Sequence, residues 1–222
     1  MTATQQRRAT AHLTACDPDW ALLIDLVGPC RLQPDTTREP WEALIHSVAH
    51  QQIHGRAAQA ILNRFLALYP GQRFPSPAAL LATDEAAMRA CGFSAAKLAT
   101  LRGIAEQAER GVIPTREEAN GMSDEALVER LVTLRGVGRW TVDMLLMHTL
   151  GRPDILPVGD FGVREGWRLI KGLEKQPTPK QLEEIGRPWA PFRSVASWYL
   201  WRAVDQYKRS HVMQATTGLP PA

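Results

Sequence analysis

Apolar residues in this chain recur at three- and four-residue intervals, and no stretch sustains the apolar–polar alternation of a half-buried strand. In "WEALIHSVAHQQI" the residues Trp41, Leu44, Ile45, Val48 and Ile53 fall on one helical face. After Gly55, "RAAQAILNRFLALYP" repeats the spacing as far as Pro70, which ends it. The pattern predicts an all-α protein with short connections.

Punctuation residues set the predicted helix boundaries. Ser76 and Thr83 open "SPAALLA" and "TDEAAMRA" as N-caps, and Ser94 opens a helix that stops at Gly111. Thr115 with Glu118 forms a capping box, and Ser123 caps "DEALVERLVTL". A helix over 139–150 ends at Gly151 and Pro153; beyond "DILPVGDFGVREGWRLIKG" comes a proline-rich loop, then a last helix across "PFRSVASWYLWRAVDQYKR" and a frayed "ATTGLPPA". The Pro- and Gly-rich break over 151–159 predicts two helical lobes, residues 39–150 and residues 1–38 plus 151–222.

At 222 residues the chain is long enough to bury most of its surface without staples, and 45% hydrophobic with 22% charged residues is ordinary globular composition. A net charge of +3 is compatible with a polyanionic partner without requiring one. Cys16, Cys30 and Cys91 are far apart and lack CxxC spacing, which excludes a cysteine zinc cage or a four-cysteine iron–sulfur cluster and fits a reducing, cytoplasmic setting. No apolar signal core follows "MTATQQRRAT" and no run reaches membrane-spanning length, so no membrane partner is expected. His46, His50 and His54 repeat at four-residue intervals, but no HExxH pattern or third ligand accompanies them; they read as solvated or groove-facing histidines, not zinc ligands.

The segment "LRGVGRWTVDMLL", residues 134–146, sets a Gly-Val-Gly corner between two predicted helices. Gly136 and Gly138 permit a tight reversal with exposed amides, and the helix starting there has unpartnered N–H groups at its positive end, a natural place for an anion such as phosphate. A plain helix–turn–helix connection has the same G-x-G signature.

Four motifs together decide between those readings. "LRGVGRWTV", "SVAHQQIHGRAAQAI", "LPVGDFGVREG" and "RPWAPFRSVASWYLW" resemble the helix-hairpin-helix (HhH-GPD) DNA glycosylases, in particular the 3-methyladenine glycosylase II (AlkA-type) branch, over roughly residues 40 to 202. The resemblance implies a two-lobed helix-hairpin-helix fold with an active-site cleft between the lobes, and a compact form without the N-terminal β-rich domain of longer relatives. It implies excision of alkylated bases such as 3-methyladenine and 7-methylguanine from double-stranded DNA, by a monomer associated with the nucleoid in base excision repair. Hypoxanthine and ethenoadenine are alternative lesions, and a catalytically silent DNA-structure-binding protein is the alternative class.

Residue by residue, the resemblance makes Asp160 catalytic. A carboxylate beside C1′ stabilises the oxocarbenium-like state and orients water; the same Asp160 also reads as an N-cap, and the two roles coexist. Trp140 stands where bifunctional relatives carry a lysine after "GVGR", and an indole cannot form their Schiff base, which implies a monofunctional hydrolase. Trp140 and Trp201 match aromatic base-pocket positions, with Met144 where tyrosine is common; Trp140 equally suits a core helix face. Gln52 matches the intercalating wedge, or is an ordinary helix-end residue, and His54 a minor-groove contact. Arg135, Gly136, Val137, Gly138, Arg139 and Thr141 form the phosphate-gripping hairpin, and the carbonyls of Val132, Leu134 and Gly136 imply a bound Na⁺ or K⁺. No catalytic cofactor is expected. Arg56, Lys97, Arg164 and Arg193 lie in or beside these motifs and would add positive charge towards DNA.

Overall fold

The computed structural model of the chain describes residues 3–53 and 55–217, with side chains described between 4 and 209. His54, expected at the DNA, lies outside the described residues. Every regular element among the described residues is helical, and none is long and apolar enough to cross a membrane. The chain divides into two compact units, Met1–Pro34 with Gly151–Ala222, and Asp35–Leu150.

The first unit begins with α1 (Ala3–Cys16) and α2 (Asp19–Val27). The second unit is organised around α3 (Pro40–His50), which buries Ala43, Leu44, Ile45, Val48 and Ala49 and is therefore a core helix. It is followed by α4 (Gly55–Leu66), α5 (Pro77–Ala82), α6 (Glu85–Ala90) and α7 (Ala95–Glu109). Leu62, Phe65, Leu98, Leu101, Val142 and Leu145 are fully or almost fully buried in this unit, and burial of each such side chain contributes about 1.5–3 kcal/mol. Phe65 meets Tyr69, Phe74 and Phe93 edge-on. The one buried carboxylate of α3, Glu42, is answered by Arg73, whose Nη2 lies 2.8 and 3.0 Å from its two oxygens.

Ser76, Ser94 and Ser123 each accept a backbone N–H as N-caps, and Thr115 with Glu118 closes both halves of the predicted capping box on α8 (Arg116–Gly121). Thr83 is a correction: Asp84 caps α6, while the Thr83 hydroxyl bonds Ala79 O and Tyr69 Oη at the end of α5. Asp84 directly precedes the first helical residue and its carboxylate accepts from Ala87 N, so the hydroxyl one residue earlier yields the cap to it. α4 also ends before Pro70, at Leu66, and unwinds through overlapping turns.

α9 (Asp124–Leu131) and α10 (Arg139–Leu145) flank the corner, and α10 runs into a π-helical turn over Leu146–Leu150. The second unit begins at Asp35, whose N donates to His148 O at 2.8 Å while Arg116 donates to the carbonyls of Asp35 and Arg38.

In the first unit the chain resumes with α11 (Phe161–Ile170), α12 (Pro179–Ile185), a 3₁₀ turn at Arg187–Trp189 and α13 (Arg193–Thr217). The core holds Trp20, Trp167 and Trp189, with ring centroids 5.1 to 6.1 Å apart. α11 lies directly on α13, because a Cβ at Gly166 would come within 2.2 Å of Leu200 O. That close crossing fixes the first turn of α11 against Trp201.

Candidate functional site

In the first unit, Asp160 caps α11. Its Oδ1 accepts from Val163 N at 2.8 Å and from Trp201 Nε1 at 2.8 Å, so two N–H donors fix the plane of a half-buried carboxylate. Trp201 thus has a second task beyond the expected pocket wall. The contact requires a glycine two residues on: a Cβ at Gly162 would sit 2.7 Å from Trp201 Cδ1 and 3.2 Å from Asp160 Oδ1. Phe161, next to the carboxylate, is 67% exposed, which is unusual for an aromatic of its size. Arg193 does not face outward as a spare cation. Its Nε and Nη2 grip Asp154 at 2.7 and 2.8 Å, and those bonds outweigh the effect of burial and hold the Asp154 carboxyl below its usual range. Arg164 likewise donates to Pro177 O.

In the second unit, the corner folds by short-range bonds: Leu134 N donates to Leu131 O, and Val137 N to Leu134 O. Gly136 has φ +79°, and a Cβ there would strike Thr100 Oγ1 at 2.3 Å, so only glycine fits on both counts. Arg135, Gly136, Gly138 and Arg139 are exposed. Val137 and Thr141, expected among the DNA-contacting residues, have buried side chains. The Val137 side chain is core and its amide is already bonded, and Thr141 is buried with its hydroxyl accepting from Gln51. Both support the corner from within. Gly138 precedes α10 without a side chain to cap it, while Thr141 N donates to Gly138 O at 3.0 Å. Arg139 is 64% exposed on its side chain, with its Nε 2.8 Å from buried Asp143; burial pushes the Asp143 carboxyl up and the Arg139 bond pulls it back.

Leu134 O and Gly136 O, expected as cation ligands, each accept one hydrogen bond, from Val137 N and Gln51 Nε2. A carbonyl has a second lone pair, so the set remains chemically suited to a monovalent cation. Trp140 and Met144, four residues apart on α10, share one face and are both half-buried.

Gln52, expected as the wedge, lies in the loop after α3. Gln52 is exposed with φ +56°, the only non-glycine residue with positive φ among those described, and Ile53 beside it is 38% exposed. Lys97, expected among the DNA-facing cations, instead donates its ammonium to Ala49 O and Gln51 O at 2.8 Å each, and burial lowers its pKa. His46 is also not groove-facing: it stacks on Phe74 at 5.5 Å, and burial first, with the Arg38 charge second, lowers its pKa to about 4. His50 Nδ1 pairs with His46 O. No three His, Cys, Asp or Glu side chains gather as a metal site among the described residues. Gln51, Phe161 and Gly162 lie inside the quoted motifs and Lys97 was expected beside them, but the clamp that Gln51 and Lys97 make, the exposure of Phe161 and the closeness of Gly162 to Trp201 come from tertiary placement that local sequence does not carry.

Residues 45–191 match the family model described as HhH-GPD superfamily base excision DNA repair protein. The chain belongs to the HhH-GPD superfamily. It is 44% identical over 200 residues to DNA-3-methyladenine glycosylase 1 of Schizosaccharomyces pombe, covering 90% of this chain and 88% of that protein. A solved S. pombe 3-methyladenine DNA glycosylase (Mag1) in complex with abasic DNA superposes with TM-score 0.83 over 88% of this chain and 95% of that one, at 44% identity. The DNA-3-methyladenine glycosidase of Bacillus halodurans superposes with TM-score 0.75 at 30% identity, covering 90% of this chain and 91% of the other. Within one unit the chain brings Asp160 and Trp201 into direct contact, and within the other Gln51 ties the loop after α3 to the corner at Gly136.

Proposed function

We propose that this HhH-GPD protein is a monofunctional DNA glycosylase that extrudes alkylated purines, such as 3-methyladenine and 7-methylguanine, from duplex DNA and hydrolyses their N-glycosidic bond. The observation that carries this reading is Asp160, half-buried at the start of α11 with Oδ1 held by Trp201 and Val163. Extruding the nucleotide costs a few kcal/mol. The exposed amides of the corner would hold a backbone phosphate, and Gln52 would fill the gap in the stack.

In the chemical step the C1′–N bond breaks and its electron pair leaves with the base. Positive charge grows on the sugar, and the Asp160 carboxylate stabilises it electrostatically. Water then bonds to C1′ and gives up a proton, which Asp160 accepts or passes on. An alkylated purine is already cationic and departs neutral, so no general acid is needed for it. Its ring meets the π face of Trp140 beside Met144, an attraction of about 1 kcal/mol or somewhat more when desolvated. Trp140 cannot open a Schiff-base route, so the strand stays intact. A monovalent cation held by the Val132, Leu134 and Gly136 carbonyls would steady the corner, and a monomer suffices for a single-lesion reaction.

The test is to incubate the purified protein with duplexes carrying 7-methylguanine, a 3-methyladenine analogue, hypoxanthine or ethenoadenine and to identify free bases by chromatography. Release of methylated purines, with no covalent adduct after borohydride, is expected. Binding without release of any base would instead indicate a silent DNA-structure binder.

A further inference from the structure

Two functional segments of the second unit, the loop after α3 and the corner before α10, are separated by about 85 residues of sequence yet share one clamp. Gln51 Nε2 donates to Gly136 O at 3.0 Å and to Thr141 Oγ1 at 3.0 Å. Its own carbonyl is held from the other side by Lys97 Nζ at 2.8 Å, together with Ala49 O. Lys97 lies three residues before Thr100, one turn of α7, and Thr100 is the side chain on which Gly136 rests, so closely that a Cβ at Gly136 would meet Thr100 Oγ1 at 2.3 Å. One face of α7 therefore carries both segments, and Gln51 pins one to the other directly. The next residue, Gln52, is held at φ +56°. A non-glycine residue persists in that conformation only where its neighbours over-determine it, and the residue immediately before it is bonded through side chain and carbonyl alike.

We propose that Gln51 is a positioning residue that locks the loop bearing Gln52 to the corner at Gly136 and Thr141, so that the wedge stands at a fixed distance from the phosphate grip. This rests on the glycosylase reading for its consequence: with the loop unlocked, binding energy gained at the corner is no longer delivered to the base stack. The lock adds nothing when the lesion is already unstacked. Gln51→Leu keeps the shape and removes the donor.

The experiment compares wild-type and Gln51→Leu protein on 7-methylguanine in a paired duplex and in an unpaired single strand. Two lost hydrogen bonds predict a paired-to-unpaired rate ratio lowered roughly tenfold. Thr141→Val should lower the ratio in the same direction, and the double variant should fall no further than Gln51→Leu, because both act through one contact. Amide hydrogen exchange on the free protein gives a readout that needs no chemistry: Gln51→Leu should speed exchange at residues 51–53 while the rest of α3 is unchanged. A protein that frees no base from either substrate would end the glycosylase reading while the exchange result still decides the lock. An unchanged rate ratio, or unchanged exchange at 51–53 in a normally folded variant, would overturn the proposal.

Discussion

Trp201 donates its indole N–H to the same Asp160 oxygen that accepts the Val163 amide. An indole ring serving only as a stacking surface would be replaceable by phenylalanine; one that also orients a carboxylate is not. Trp201→Phe is expected to slow base release by roughly 10- to 100-fold, the range for losing a hydrogen bond to a charged group, with binding to abasic duplex reduced much less. Single-turnover kinetics beside an affinity titration separate the two.

Gly162→Ala tests the same contact from below. In a helix an added methyl normally stabilises, by roughly 0.5–1 kcal/mol. Here it must displace the Trp201 ring, 2.7 Å from the new Cβ, or the carboxylate itself. Loss of excision comparable to that of Trp201→Phe is expected, without any gain in the unfolding midpoint.

Gln52 holds a left-handed backbone that glycine adopts freely and alanine does not. Gln52→Gly and Gln52→Ala should both slow excision from paired duplex, since each removes the wedge side chain. The glycine variant should be the more stable of the two, by about 1 kcal/mol, in chemical denaturation.

These residues also show which parts of the molecule were readable beforehand. The cap residues Ser76, Ser94, Thr115, Ser123 and Asp160 each accept from an amide three residues on, and local sequence carries such signals. α1 is different: among its described side chains the fully buried apolar ones are Ala9 and Leu13, too sparse a stripe to stand out. α12 hides in a stretch that reads as a proline-rich loop, although Pro179 is only the first residue of a helix capped by Thr178 and Gln181. Two of the expected cations are engaged within the protein for a related reason. Arg193 and Lys97 match the composition of a DNA-facing surface, but their partners, Asp154 and the carbonyls of Ala49 and Gln51, are 39 to 48 residues away in sequence. Charge alone does not say where a cation is spent.

His46 makes folding sensitive to acid. Its pKa is lowered from 6.5 to about 4, so between those values the unfolded chain binds more protons than the native one, and stability falls as pH drops through that window. The loss between pH 7 and pH 5 should be about 2 kcal/mol from this group. His46→Gln should flatten the dependence of urea-unfolding free energy on pH over that range; an unchanged slope would mean that His46 is not neutral in the folded protein.

The most direct measurement concerns Asp160→Asn, compared with wild type on a 7-methylguanine duplex under single-turnover conditions. Asparagine can still cap α11 and accept from Trp201, so an unchanged unfolding midpoint and undiminished binding to abasic duplex are expected, with base release slowed by a factor on the order of 10² or more. An Asp160→Asn protein that frees the base at the wild-type rate would contradict the assignment of the chemistry to that carboxylate.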